Sequence, residues 1–180
     1  NYLLKEHPDI KPIKTHKNIF TCPGRNIALA SCTGDFIISL DDDASLDEEC
    51  IEQIVRNHQE NEEVAIVACN VLDPSDIGNR GGKDFADATS QVVPIFMPGA
   101  CGIRRTVLDD VGYFPDYSRQ GEENYLALKI LDAGYKILFE PTAVVYHEWI
   151  YGDKGRNERQ ILYLNFRHDL ENLKRLLPFR

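Results

Sequence analysis

Short apolar blocks alternate along this chain with polar, glycine-containing stretches. Phe36–Leu40 and Val64–Cys69 are compact β-rich runs of the kind buried in a parallel or mixed sheet. Val92–Met97, Tyr135–Phe139 and Ala143–Tyr146 read as three further strands, the last two parted by Pro141. Helical spacing fills the intervals. Gly24–Ser31 offers Ile27, Ala28 and Ala30 ahead of Gly34, enough for about two turns. Ser45 and Glu48 form a capping box for a helix continuing through Ile51, Ile54, Val55 and His58. Thr106 caps a short helix that stops at Gly112. Glu122–Ala133 is the clearest helix, pairing Leu126 with Ile130 and Ala127 with Leu131 at i, i+4 before Gly134. Residues 158–180 form a basic amphipathic C-terminal helix, with Ile161, Leu164, Leu170, Leu173 and Leu177 on or near one face. Pro74–Thr89 reads as a polar loop, and Gly99 and Gly102 loosen the stretch after Met97. Alternating strands and helices define an α/β fold with a mostly parallel sheet flanked by helices, a single domain over 1–180.

Composition narrows the partners. The 180 residues carry 20 basic and 29 acidic side chains, a net charge of −9. That balance argues against a nucleic-acid partner, which needs clustered Lys and Arg, and favours binding phosphates through a divalent cation. No apolar stretch approaches the roughly 20 residues of a transmembrane segment. The cysteines Cys22, Cys32, Cys50, Cys69 and Cys101 are odd in number and never form a C-x-x-C pair, as expected of a reduced, intracellular chain with small buried thiols.

The most informative chemistry is Asp41-Asp42-Asp43, where the strand Phe36–Leu40 ends. Ligands of open α/β sheets bind beyond the carboxyl ends of strands. Three adjacent carboxylates repel one another, and a bound cation relieves that repulsion. Alternation along an extended segment lets Asp41 and Asp43 face one site while Asp42 points elsewhere. Oxygen ligands select Mg²⁺ or Mn²⁺, which keep positions open for substrate phosphates. A solvated acidic turn is the bland alternative. A calcium loop through Asp41, Asp43, Ser45 and Glu52 fails because Leu46 stands where a tight turn needs Gly and a strand enters where a helix should. Gly81-Gly82-Lys83-Asp84 lacks the Ser or Thr and the first Gly of a phosphate-binding loop. Glu122 and Glu123 open the best helix, where a carboxylate serves either as a dipole partner or, with a pKa raised by its neighbour, as a general base. His147 follows an apolar strand and is either structural or a ligand.

The order of these pieces carries a resemblance. Cys22-Pro23-Gly24-Arg25-Asn26, Gly34-Asp35 through Leu40-Asp41-Asp42-Asp43, Gly99–Arg105, Val111-Gly112-Tyr113-Phe114, Gly121-Glu122-Glu123, Gly134-Tyr135 and Val145-Tyr146-His147 resemble the family 2 glycosyltransferases of the GT-A fold, a Rossmann-related architecture. The likeness runs from about Asn18 to the C-terminus and is nearest to rhamnosyltransferase-like members. It implies inverting transfer of a sugar from a UDP-, GDP- or dTDP-sugar to a glycan or lipid-linked acceptor. It further implies that the aspartates are a D-x-D motif. Asp41 and Asp42 would then contact the donor, and Asp43, with Asp41 and His147, would hold Mn²⁺ or Mg²⁺. Arg25 matches an Arg-Asn near the donor, and Glu123 matches the base, with Glu122 beside it. Glu stands at 123 where most members have Asp, and Tyr125 replaces an acidic residue. Arg104 and Arg105 resemble an R-R pair of the acceptor half.

The resemblance also implies that the chain enters after the family's first strand–helix unit, leaving an exposed sheet edge prone to self-association. A cytoplasmic location follows, or a peripheral one at the inner face of the membrane. Two other functions compete: a metal-independent glycoside hydrolase using two carboxylates, and a non-catalytic fragment that binds nucleotide sugar or a partner.

Overall fold

The computed structural model describes residues 5–74, 88–117, 121–148 and 158–176. The polar loop with Gly78, Gly81 and Gly82 lies outside the described residues, as does the Gly81–Asp84 stretch. Six strands are described: β1 (Phe36–Leu40), β2 (Ala44–Leu46), β3 (Val64–Leu72), β4 (Gln91–Val92), β5 (Ala100–Arg104) and β6 (Lys136–His147). The helices are α1 (Thr21–Ala30), α2 (Cys50–Glu60), α3 (Arg105–Val111), α4 (Glu122–Asp132) and α5 (Glu158–Leu176). The sheet order is β1-β5-β3-β6-β2, with β4 also on β6.

β3 is central, and its near-continuous burial comes from cover on both faces. Ile66 and Ala68 face a core built with Cys22 and Leu29 of α1, Val107 and Leu108 of α3, and Leu126 and Ile130 of α4. Val67 and Cys69 face the opposite core, where Cys50 and Ile54 of α2 pack with Ala143 and Val145 of β6. The α/β class with helices on both faces therefore holds.

Strand direction differs from expectation. Among the described strands only β3–β6 is parallel; β1–β5, β3–β5, β2–β6 and β4–β6 are antiparallel. Alternating strands and helices implied crossovers, but β5 runs back between β1 and β3. β5 was missed because Gly99 and Gly102 read as loop. Gly102 is a strand residue with a packing role, since a Cβ there would overlap the Ile54 side chain of α2. Val92–Met97 pairs only over Gln91–Val92.

The Ser45–Glu48 capping box does not form. Ser45 lies in β2 opposite Tyr146, and α2 starts at Cys50 after Glu49, without a side-chain cap. Pairing with β6 uses the residues that the box would need. Thr106 likewise lies inside α3, whose N-cap is Arg104. Pro141 does not divide two strands: β6 runs through it because the ladder skips from Glu140 to Val144 opposite Cys69 and Asn70. Asn70 Nδ2 donates to the Pro141 carbonyl at 3.2 Å, and the buried Glu140 carboxylate accepts from Asn57, Ser90 and both the amide and hydroxyl of Thr142. Among the described residues no helix is long and apolar enough to cross a membrane. All five cysteines are free, and only Cys32 is exposed.

Candidate active site

β1 delivers the acidic triplet to its end, and β2 then pairs Ala44 with His147 of β6. The Glu148 amide donates to the Asp43 carbonyl at 3.0 Å, tying the two segments together. His147 Nε2 consequently lies 3.2 Å from Asp43 Oδ1 and 3.8 Å from Asp41 Oδ2. One ligand atom from each of Asp41, Asp43 and His147 falls within 4.8 Å of the others. Two carboxylate oxygens and an imidazole nitrogen are a donor set that could hold a divalent cation. Asp42 is exposed and stands outside the group, but the cause is a turn and not the alternation of an extended segment: β1 ends at Leu40, and the Ala44 amide donates to the Asp41 carbonyl at 3.2 Å.

Asp41 is seated by Gly99. Its amide donates to the Gly99 carbonyl at 3.0 Å, and a Cβ on Gly99 would overlap the Asp41 carboxylate. In the sequence this glycine marks only a loosened stretch; in the fold its neighbour Pro98 accepts a hydrogen bond at its carbonyl from the Ser39 hydroxyl.

Arg25 of α1 joins the two halves of the site. Its Nη2 donates to Asp41 Oδ1 at 2.7 Å, and its Nη1 lies 3.8 Å from Glu122 Oε1 at the start of α4. Asn26, the next residue, exchanges two hydrogen bonds with the Phe114 backbone and so anchors α1 to the segment after α3. Glu122 is buried, and its Oε2 has no hydrogen-bond partner among the described residues. Burial pushes the Glu123 carboxyl above the usual range; the charges of Glu122 and Asp169 add to this, and Arg25 opposes it. Beneath them the Cys22 thiol is pushed up to about 12, chiefly by burial and then by Glu122, so it stays neutral.

Arg104 and Arg105 do not join this group. Arg104 donates to the carbonyls of His58, Asn61 and Val64, bracing the turn between α2 and β3, and Arg105 donates to the Gly34 carbonyl. Of the calcium-loop residues, Ser45 and Glu52 are absent from the ligand cluster. A groove of about 690 Å³ runs between the outer edge of β1 and α1 and ends at Asp41 and Asp42.

The fold has counterparts among known proteins. The profile of the family Glycosyl transferase family 2 matches residues 2–112, and the chain belongs to that family. The matched stretch holds Arg25, the three aspartates and Gly99; Glu122, Glu123 and His147 lie beyond it. Among curated proteins, a "Pre-mycofactocin glycosyltransferase" of Mycobacterium tuberculosis is 27% identical over 158 residues, taking in 79% of this chain and 33% of the relative. The chain thus spans about a third of that relative's length.

Solved structures share the fold. A mannosyltransferase from Pyrobaculum calidifontis, in complex with GDP-Man and Mn²⁺, superposes with a TM-score of 0.71 at 20% identity over 99% of this chain and 50% of its own. GalNAc-T7 with UDP, GalNAc and Mn²⁺ gives 0.70 at 16% identity, covering 87% of this chain and 35% of that one. S. aureus TarS in complex with UDP-GlcNAc gives 0.66 at 14% identity, covering 96% and 54%. The architecture is that of the GT-A glycosyltransferases.

Proposed function

We propose that this unit, a single domain over 1–180, transfers a sugar with inversion from a nucleoside-diphosphate donor to the hydroxyl of a glycan or lipid-linked acceptor. The observation that carries the reading is the convergence of Asp41, Asp43 and His147 beside Arg25 and the acidic pair. Family membership and structural relatives that hold UDP or GDP species support it.

Asp41, Asp43 and His147 would hold Mn²⁺ or Mg²⁺, which when bound supplies charge neutralisation to the departing diphosphate. The groove beside β1 has the volume of a small-molecule site and reaches Asp41 and Asp42, which supports a reading in which the nucleoside lies along Ile38 and Leu40. Arg25 orients Asp41 and adds positive charge where the diphosphate leaves. Glu123 accepts the proton of the acceptor hydroxyl as its oxygen bonds to the anomeric carbon and the carbon–phosphate-oxygen bond breaks. Its raised pKa suits a general base near neutral pH. The free cysteines fit a reducing compartment, consistent with a cytoplasmic location. The outer edge of β1, which carries no strand among the described residues, favours self-association when the groove is vacant.

The test pairs two variants. Asp43→Ala is expected to lose Mn²⁺-dependent binding of UDP and GDP measured by calorimetry. Glu123→Gln is expected to keep that binding while transfer falls about 10²- to 10⁴-fold. Wild-type activity in both variants refutes the assignment.

A further inference from the structure

The acidic pair is bracketed by α5, a helix from the far end of the chain. Gly121, just before Glu122, adopts a left-handed φ of 77°. Its carbonyl accepts a 3.1 Å hydrogen bond from Asn172 Nδ2, and a Cβ at Gly121 would lie 2.9 Å from His168 Cβ. Asn172 is 1% exposed, and its Oδ1 accepts from the Tyr117 hydroxyl at 2.8 Å. The His168 ring stacks on Tyr117 at 4.0 Å and 6°. Asn124, just after Glu123, donates to Asp169 Oδ1 at 2.9 Å. The residue before the pair and the residue after it are therefore both tied to α5. Neither Glu122 nor Glu123 makes a hydrogen bond to α5 among the described residues.

Glu122 needs such support. It is buried and points its Oε1 toward Arg25 across 3.8 Å, longer than a hydrogen bond. The like charges of the buried Glu122 and the half-buried Glu123 repel, which works against a fixed placement of the pair. The helix dipole favours both carboxylates but does not choose their azimuth. A fixed Gly121 carbonyl on one side and a fixed Asn124 amide on the other do.

We propose that Asn172 and Asp169 are positioning residues: through Gly121 and Asn124 they set where Glu122 and Glu123 stand relative to Arg25 and the donor. The proposal rests on the reading of Glu123 as the base. Its cost when broken is that of a misplaced reacting group, about 10²-fold for a shift near 1 Å.

The experiment measures release of UDP or GDP from UDP-GlcNAc and GDP-Man with Mn²⁺ by the intact protein, alongside calorimetric affinity for UDP and GDP with Mn²⁺. Asn172→Ala and Asp169→Ala are expected to lower kcat by about 10²-fold with KM and nucleotide affinity within twofold of wild type. Asp169→Asn, which keeps an oxygen for Asn124, restores most of kcat. Arg175→Ala serves as the structural control, because Arg175 stacks on Tyr117 and pairs with Asp116 on the same helix without touching residues 121–124; it lowers the melting temperature and spares kcat. Unchanged kcat in Asp169→Ala, or an equal loss in Arg175→Ala, overturns the positioning role. Turnover in Glu123→Gln equal to wild type overturns the reading beneath it, and the two failures are separable because the latter variant leaves α5 intact.

Discussion

Gly99→Ala separates the proposed metal site from the fold. The added Cβ would overlap all three terminal atoms of the Asp41 carboxylate. Something must give, and the end of one half-exposed side chain gives far more readily than two hydrogen-bonded strands. Asp41 therefore swings away, breaking its 2.7 Å pair with Arg25 and leaving the group it forms with Asp43 and His147. Because the Asp41 side chain is 33% exposed, solvent screening limits the lost ion pair to about 1 kcal/mol. For a domain of this size that lowers the melting temperature by about 2–4 °C. The effect on the cation is larger. Disturbing a partner that merely orients a ligand weakens metal affinity about 10- to 100-fold, so displacing a ligand itself is expected to exceed about 100-fold. At about 1.4 kcal/mol per decade this is about 3 kcal/mol, three times the stability change. Mn²⁺ titration followed by electron paramagnetic resonance reads the affinity, and thermal melting by circular dichroism reads the fold. Gly102→Ala provides the contrast, since its Cβ meets Ile54 in the buried contact between β5 and α2, far from the carboxylates. That variant is expected to lose about 1–3 kcal/mol of stability through overpacking and to keep its Mn²⁺ affinity. Gly99→Ala with Mn²⁺ affinity within twofold of wild type refutes the reasoning.

Two further outcomes concern buried titratable groups. Burial, then the charge of Arg104, lowers the His58 pKa from 6.5 to about 4, so the folded state resists a proton that the unfolded chain accepts. Its neutral form is stable above pH 6.5, and stability drains as pH falls from 6.5 toward 4, by about 3 kcal/mol at 1.36 kcal/mol per unit. Urea midpoints at pH 7 and pH 4.5 should show that slope in wild type and lose it in His58→Gln; an identical slope in both rejects the assignment. Glu140 is held below the usual carboxylate range because bonds from Ser90, Thr142 and Asn57 outweigh its burial. Glu140→Ala strands these donors and is expected to destabilise the protein by about 3 kcal/mol at pH 7, with the deficit shrinking as pH drops below 4.5 through the folded-state pKa. A urea midpoint unchanged at pH 7 contradicts this.

Much of the site was legible because its parts are local. A strand ending in three aspartates, and two glutamates opening a helix, can be recognised without knowing what lies beside them. Gly112 as the stop of α3 and the helix spanning Glu122–Asp132 also followed from short-range rules. Rules of the same kind misled where pairing intervened. Ser45 and Glu48 satisfy a capping pattern, yet β6 claims Ala44–Leu46 as a strand, since three ladder residues beside His147 outweigh one cap. Pro141 ends most strands, yet a bulge and the Glu140 side chain let β6 continue past it.

What the chain by itself determined is therefore the helices, the strands β1 and β3, the α/β class and the inventory of acids, because periodicity, capping and composition act over a few residues. Only the tertiary structure decided that β5 runs back between β1 and β3, that His147 comes within 3.2 Å of Asp43, and that Gly99 makes room for Asp41. It also decided that Arg25 spans the gap between Asp41 and Glu122, and that α5 holds the ends of the acidic pair. Contacts between residues a hundred positions apart depend on which strand lies next to which, and that choice maximises buried apolar area and minimises unpaired backbone over the whole sheet at once.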